Sequence, residues 1–305
     1  MKYKLATAAV LGTLLLGGCG GSDDIVNAIK DEIKDNIKEQ IPTGTVDWGS
    51  KETVNNITLT TLGMFQTFGP VDSLVWAVDE AKENRKCVSG DYQKSGDSIT
   101  FNNCKGLLEA DPNAIISGSV KVKAGSNQNS NSYNYDKFTV LDGDGDKTTV
   151  TGYLNVSNNA NDTEGSVATD YLKITFTEKV NNQVKDYEYG LVSYQSNWKD
   201  LGNDAFSLNS NGTYYAKGEK IGDYAVKFQT AKPFIFESED ANPTDGLLKF
   251  EDLANSRNSV TLSANSDGKT VIYKSLNNDQ QFINETITWD DIWDFLSTSL
   301  FSRIV

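Results

Sequence analysis

Tyr171-Leu172-Lys173-Ile174-Thr175-Phe176 decides the fold class. Side chains two apart in an extended chain share one face, so Leu172, Ile174 and Phe176 line one side of a strand and Lys173 and Thr175 the other. The same period of two recurs in Ser98-Ile99-Thr100-Phe101, Ser117-Gly118-Ser119-Val120-Lys121-Val122 and Ser259-Val260-Thr261-Leu262. Between such segments lie Asp142-Gly143-Asp144-Gly145-Asp146, Asn158-Asn159-Ala160-Asn161, Asn209-Ser210-Asn211-Gly212 and Ser266-Asp267-Gly268-Lys269. These residue types accept the positive φ of tight turns and read as hairpin connections. From Cys87 to about Ile287, about a dozen strands follow one another with no helical pattern between them. A mainly β chain with flanking helices is predicted, built on a large curved antiparallel meander sheet or an open barrel. Glycines precede alternating residues at Gly118, Gly152, Gly190, Gly218 and Gly246. Their uneven spacing does not suit a propeller blade, so they are predicted at bends of the sheet.

Helices are expected on either side of the strands. Ile25, Ile29, Ile33, Ile37 and Ile41 recur every fourth residue among Lys, Asp and Glu, a narrow apolar stripe that winds around a helix and ends at Pro42 and Gly44. This helix suits a place on the globular domain, on a membrane surface or against another chain. Its balanced charge weakens the membrane version, which prefers a basic polar face. Val71, Leu74, Val75 and Val78 follow Gly69-Pro70 at helical spacing, and Pro fits a first helical turn. With Val54 to Phe68 they predict a helical hairpin at about 52–84. At the other end, Thr288 can cap a helix whose first turn holds Asp290 and Asp291, with Trp289, Ile292, Trp293, Leu296 and Leu300 on one face. This helix is expected to dock on the sheet or cover the open end of a barrel. As an alternative, Trp289 and Trp293 are candidate ligand or partner contacts.

Composition removes several function classes. The 305 residues include no histidine, which excludes Ser-His-Asp and Cys-His relays and imidazole-ligated zinc. With 28 basic against 42 acidic residues, the chain lacks the cationic excess that nucleic-acid binding requires. Phosphate-loop, nucleophile-elbow and dinucleotide patterns are also missing.

The first residues read as an export signal. Lys2 and Lys4 precede the apolar run Leu5 to Leu16, and Leu16-Gly17-Gly18-Cys19 follows. A bilayer span takes about 20 apolar residues, so this run is too short to cross and has the form of a signal-peptide core. The run resembles the lipobox of bacterial lipoproteins, with Gly17 in place of the more usual Ala or Ser. That resemblance implies cleavage before Cys19, lipidation of Cys19 by acyl chains such as palmitate, and membrane attachment through the lipid. Two or more acyl chains anchor stably, each buried methylene contributing about 0.8 kcal/mol. In lipoprotein families an Asp after the cysteine is associated with inner-membrane retention. Gly20 stands there instead, which implies export to the outer membrane of a double-membraned host. Removal of Lys2 and Lys4 leaves 26 basic and 42 acidic residues, a net charge of −16.

Cys87 and Cys104 are then the only cysteines besides the lipid anchor. In an oxidising envelope compartment they are expected to form a disulfide, two separate buried thiols being the alternative. Asp142, Asp144 and Asp146 imitate the start of a calcium loop, but the position of its bidentate Glu holds Tyr153. A hairpin turn is the favoured reading, with weak calcium binding as the lesser one. Tyr187, Tyr189, Tyr194, Trp198, Tyr214, Tyr215 and Tyr224 are expected chiefly to fill a core, or else to line a cleft for a sugar ring or acyl chain.

The expected organisation is a signal segment over 1–18, a lipidated tether with an amphipathic helix over 19–45, and one β-rich domain over 46–305 ending in a helix at about 289–303. The chain also resembles uncharacterised β-rich lipoproteins of Gram-negative bacteria. The residues that carry this are the lipobox, Ile99-Thr100-Phe101-Asn102-Asn103-Cys104 followed by Ser117-Gly118-Ser119-Val120, and Gly246-Leu247-Leu248 leading to Thr288-Trp289. These motifs imply no particular activity. The expected function is a non-catalytic outer-membrane lipoprotein that binds an envelope protein, lipid or glycan, without a cofactor or nucleic acid. A carrier of an apolar ligand in the curved sheet is one alternative, and a carboxylate-based glycan hydrolase is another.

Overall fold

The computed structural model describes residues 41–298 apart from 43, 45, 67–68, 109–110, 126–128, 144, 181–182, 219–221 and 239–240. Two helices come first, α1 (Lys51–Gln66) and α2 (Gly69–Lys82). The strands are β1 (Ser89–Ser95), β2 (Ser98–Lys105), β3 (Ile115–Ala124), β4 (Ser130–Leu141), β5 (Lys147–Asn158) and β6 (Glu164–Val180). Next come β7 (Gln183–Gly202), β8 (Ala205–Lys217), β9 (Tyr224–Phe236) and β10 (Asp245–Asp252). The sheet ends with β11 (Ser259–Ala264), β12 (Thr270–Asn277) and β13 (Gln280–Thr288), after which α3 (Trp289–Thr298) follows directly. Helices are therefore present in both stretches read as helical ahead of the strands, and the closing helix is present too. Cys19 and the Ile25–Ile37 part of the amphipathic stripe lie outside the described residues.

All thirteen strands form one antiparallel meander in chain order, and β1 and β13 remain its two edges. The sheet is an open one, not a closed barrel. Thirteen strands about 4.8 Å apart would span about 58 Å if flat, far wider than helices of about four turns can cover. Yet Phe101 of β2, Tyr187 of β7, Phe250 of β10 and Tyr273 of β12 share a single core with Val54, Ile57, Val78 and Trp289 of the helices. The sheet must curl around the helices to bring these residues together.

Bulges supply the bending. Pairing registers shift at Ser117/Ser119 between β3 and β4, at Tyr135/Phe138 and Gly152/Asn155 further along, and at Val192/Gln195 between β7 and β8. Each shift places an extra residue on one strand and increases the local twist. Gly118 (φ 97°) sits at such a point, and a Cβ there would overlap the carbonyl of Lys137. Two of the predicted bend glycines are exceptions: Gly218 falls in the β8–β9 connection, and Gly190 lies inside β7. Gly190 pairs with Tyr215, and a Cβ would overlap that ring, so its missing side chain makes room for an aromatic cover.

One expected turn is corrected. Asn209-Ser210-Asn211-Gly212 lies inside β8, where the register shifts between Leu208 and Asn211. Ser210 is fully buried there: its Oγ lies 2.6 Å from Ser196 Oγ, its N–H donates to Thr230 Oγ1, and its carbonyl accepts the Thr230 hydroxyl. Turn-like composition here serves a bulge whose polar groups are satisfied across three strands.

The threonines of α1 also have a local reason. Thr58 and Thr61 donate to the carbonyls of Val54 and Ile57, so their hydroxyls are satisfied within the helix although both residues are buried. Thr288 caps α3 through reciprocal bonds: its Oγ1 accepts from Asp291 N–H, and Asp291 Oδ2 accepts from Thr288 N–H.

Candidate functional site

Cys87 and Cys104 are joined as a disulfide, with Cα atoms 5.3 Å apart. The bond ties the segment after α2 to β2, and Cys104 is fully buried. Among the acidic trio, Asp142 Oδ1 accepts from the N–H of Asp146 in the β4–β5 turn, while Asp144 lies outside the described residues. Among the described residues, no three His, Cys, Asp or Glu side chains come together as a metal-holding group. Trp289 is fully buried and meets Phe234 edge to face at 6.3 Å. Its indole belongs to the core and offers a partner no surface, which corrects its place among the contact candidates. The side chain of Trp293 lies outside the described ones.

The tyrosines divide between the two faces of the sheet. Tyr133, Tyr135, Tyr187, Tyr189, Tyr214 and Tyr224 are buried in the main core. Burial pushes Tyr224 up to about 12, since a buried phenolate would lose its hydration. On the opposite face, Tyr171, Tyr215 and Ala225 form a separate cluster against which Ile41 and Val192 pack. The Tyr215 hydroxyl donates to Glu188 Oε1 at 3.2 Å and therefore accepts from Tyr171, 3.1 Å away. Lys217 approaches the same carboxylate at 3.4 Å and Lys173 at 3.8 Å. This chain seals the ring of Tyr215 over Gly190 and makes a rigid patch on the outer face.

A cleft of about 330 Å³ opens at one end of the sheet. Three segments build it: Val46–Gly49 ahead of α1, the β10–β11 connection and the β12–β13 turn. Asn278 and Asp279 both have positive φ, as the two central residues of a type I′ hairpin turn require. Asp252, 4% exposed, accepts from Ala254 N–H through Oδ1 and from Asn258 Nδ2 through Oδ2. Asn258 in turn accepts the Asn278 N–H at 2.9 Å, and Asn255 Nδ2 donates to Asn278 Oδ1 at 3.0 Å. Outside this net, Arg257 Nε donates to Asp279 Oδ2 at 2.6 Å and pins the turn. Trp48 lines the cleft at 3% exposure, and its indole N–H has no hydrogen-bond partner among the described residues. Sequence reading missed this site. Its signals were an Asn at each end of the Asn255–Asn258 connection and the Asn277-Asn278-Asp279 turn, which sit beside Trp48 only in three dimensions.

The class defined by these features is an open, thirteen-stranded antiparallel meander wrapped on helices, disulfide-bonded, with a polar cleft at one sheet end. No family model matches the chain, and neither a curated protein nor a solved structure matches it.

Proposed function

We propose that the protein is an outer-membrane lipoprotein, anchored through Cys19, whose β-rich domain is a non-catalytic recognition module in the cell envelope. The observation that carries this reading is Leu16-Gly17-Gly18-Cys19 directly after a short apolar run with basic residues ahead of it. The Cys87–Cys104 disulfide supports it, because such bonds persist in oxidising compartments outside the cytoplasm. Recognition is favoured over chemistry by the complete lack of histidine and by tyrosines that burial holds protonated. The carrier alternative is disfavoured because the curled face of the sheet packs onto α1, α2 and a layer of buried aromatic rings. In the cleft, both oxygens of Asp252 are tied to protein donors, which weighs against its use as a hydrolytic carboxylate.

Fractionation of cells expressing the Cys19→Ala chain tests the anchor. The wild-type chain is expected with outer membranes and the variant in other fractions; equal retention of the two would overturn the lipid-anchor reading. Crosslinking in intact envelopes then tests recognition, with a reproducible partner expected.

A further inference from the structure

We propose that the cleft between Trp48 and the Asn277–Asn278 turn is a binding site for a neutral saccharide. The inference rests on the recognition reading above and names its ligand class.

The chemistry of the lining leads to this class. A carboxamide presents a donor and an acceptor side by side, which matches the paired donor and acceptor roles of vicinal hydroxyls. Four such groups, Asn255, Asn258, Asn277 and Asn278, line one cleft. Two of them are held rigidly: Asn258 is 6% exposed and bonded to Asp252 and Asn278, and Asn278 is bonded to Asn255. Rigid placement lowers the entropic cost of ordering side chains around a ligand. Asn277 Oδ1 accepts from Asn278 Nδ2, while its own Nδ2 donates to no acceptor among the described residues. The indole N–H of Trp48 is a further buried donor without an acceptor, as noted above. Trp48 itself lines the cleft, so its indole reports on what occupies it.

Charge excludes the competing ligands. The lining contains Asp47 and Asp252 and no Lys or Arg, so a phosphate or carboxylate would meet repulsion. A cation is disfavoured because only two carboxylates line the cleft, and no three His, Cys, Asp or Glu side chains come together as a metal-holding group among the described residues. The volume sits at the lower end of the range of about 300–1,000 Å³ seen for small-ligand sites, enough for a short saccharide segment.

The test uses the full-length chain in detergent with 5-fluorotryptophan at its five Trp positions, read by fluorine resonance. The probes are chitobiose and maltose, with inorganic phosphate and calcium as charged controls. The Trp48→Phe chain assigns the Trp48 resonance. Asn277→Ala gives a second assignment, because a Cβ at neighbouring Gly49 would lie 3.3 Å from Asn277 Nδ2. One neutral saccharide is expected to move the Trp48 resonance saturably at millimolar concentration. Asn255→Ala and Asn277→Ala are expected to weaken that binding about tenfold each, the loss of about 1.4 kcal/mol, in chains whose cooperative unfolding shows that they remain folded at the temperature of the titration. The proposal is overturned if no saccharide moves the resonance up to roughly 10 mM, if the variants bind equally well, or if only phosphate or calcium acts. The envelope reading fails separately, through Cys19→Ala fractionation and crosslinking, so a silent cleft in an anchored protein that captures a partner would sink the saccharide site alone.

Discussion

Tyr224 of β9 and Thr60 of α1 bring their hydroxyl oxygens to 2.5 Å across 164 residues of chain. Thr60 has one hydroxyl proton, and it goes to the Asn56 carbonyl at 2.7 Å, so Tyr224 is the donor between the two. The bond fixes how the helix seats on the curled sheet. Thr60→Val keeps the shape, removes the acceptor and leaves a buried phenol unsatisfied, which costs about 1–3 kcal/mol. Thr60→Ser keeps the oxygen and is expected to cost less. Urea unfolding of the two variants checks the ordering, and equal stability of Thr60→Val and wild type would contradict the bond's role.

Alkaline titration probes buried tyrosines on both faces of the sheet. Burial pushes Tyr171, Tyr224 and Tyr273 each up to about 12, against an ordinary value of 10.0. Below pH 10 these phenols are neutral in both the folded and unfolded chain, and their full stabilisation is present. As pH rises from 10 towards 12 the unfolded chain ionises first, so stability falls by about 1.4 kcal/mol per pH unit for each such tyrosine. Phenolate absorbance is expected to rise in two stages, exposed tyrosines first and the buried set together with loss of tertiary circular dichroism. One smooth titration near pH 10 with the fold intact would refute the burial account.

How much of this was legible in the sequence depends on how local each feature is. Leu172, Ile174 and Phe176 alternate because neighbouring residues face opposite ways, so β6 could be read without knowing its partners. The α3 cap was equally readable, since Thr288 and Asp291 are three residues apart. Asn209–Gly212 misled because the same small polar residues suit a turn and a bulge, and only the pairing of β8 with β9 separates the two. Trp289 invited a partner-binding reading because a chain-terminal aromatic looks exposed until the sheet end that covers it is known. The cleft was out of reach for a stronger reason: Trp48, Asp252, Asn258 and Asn278 come from three segments, and no local pattern joins them.

Curvature can be tested at a single glycine. Gly152 of β5 has φ 130°, and a Cβ there would overlap the Tyr171 carbonyl and lie 3.0 Å from Leu172 Cα. Gly96 has φ 57° in the β1–β2 turn, with nothing within 4 Å of such a Cβ. Ala at Gly96 therefore meets backbone strain alone, about 1 kcal/mol. At Gly152 it meets strain plus overlap with a neighbouring strand, and about 3 kcal/mol or more is expected. Thermal unfolding of Gly96→Ala and Gly152→Ala should rank them in that order; a milder effect at Gly152 would show that β5 can shift away from β6 cheaply.

The disulfide has a separate thermodynamic signature. Cys87 and Cys104 are 17 positions apart, and closing a loop of that size stabilises by about 3 kcal/mol through restriction of the unfolded chain. Cys104 is fully buried, so Ser there would add a stranded hydroxyl to the loss of the crosslink. The cleaner variant is the double Cys87→Ala, Cys104→Ala chain, which removes the bond without burying a polar group. Its midpoint in urea is expected to fall by the equivalent of about 3 kcal/mol, and reductant should lower the wild-type midpoint while leaving that of the double variant unchanged. Mass measurement without reductant should find the pair two hydrogens lighter than free thiols. A reductant-insensitive wild type at the reduced mass would mean that the two cysteines remain separate buried thiols in the mature protein.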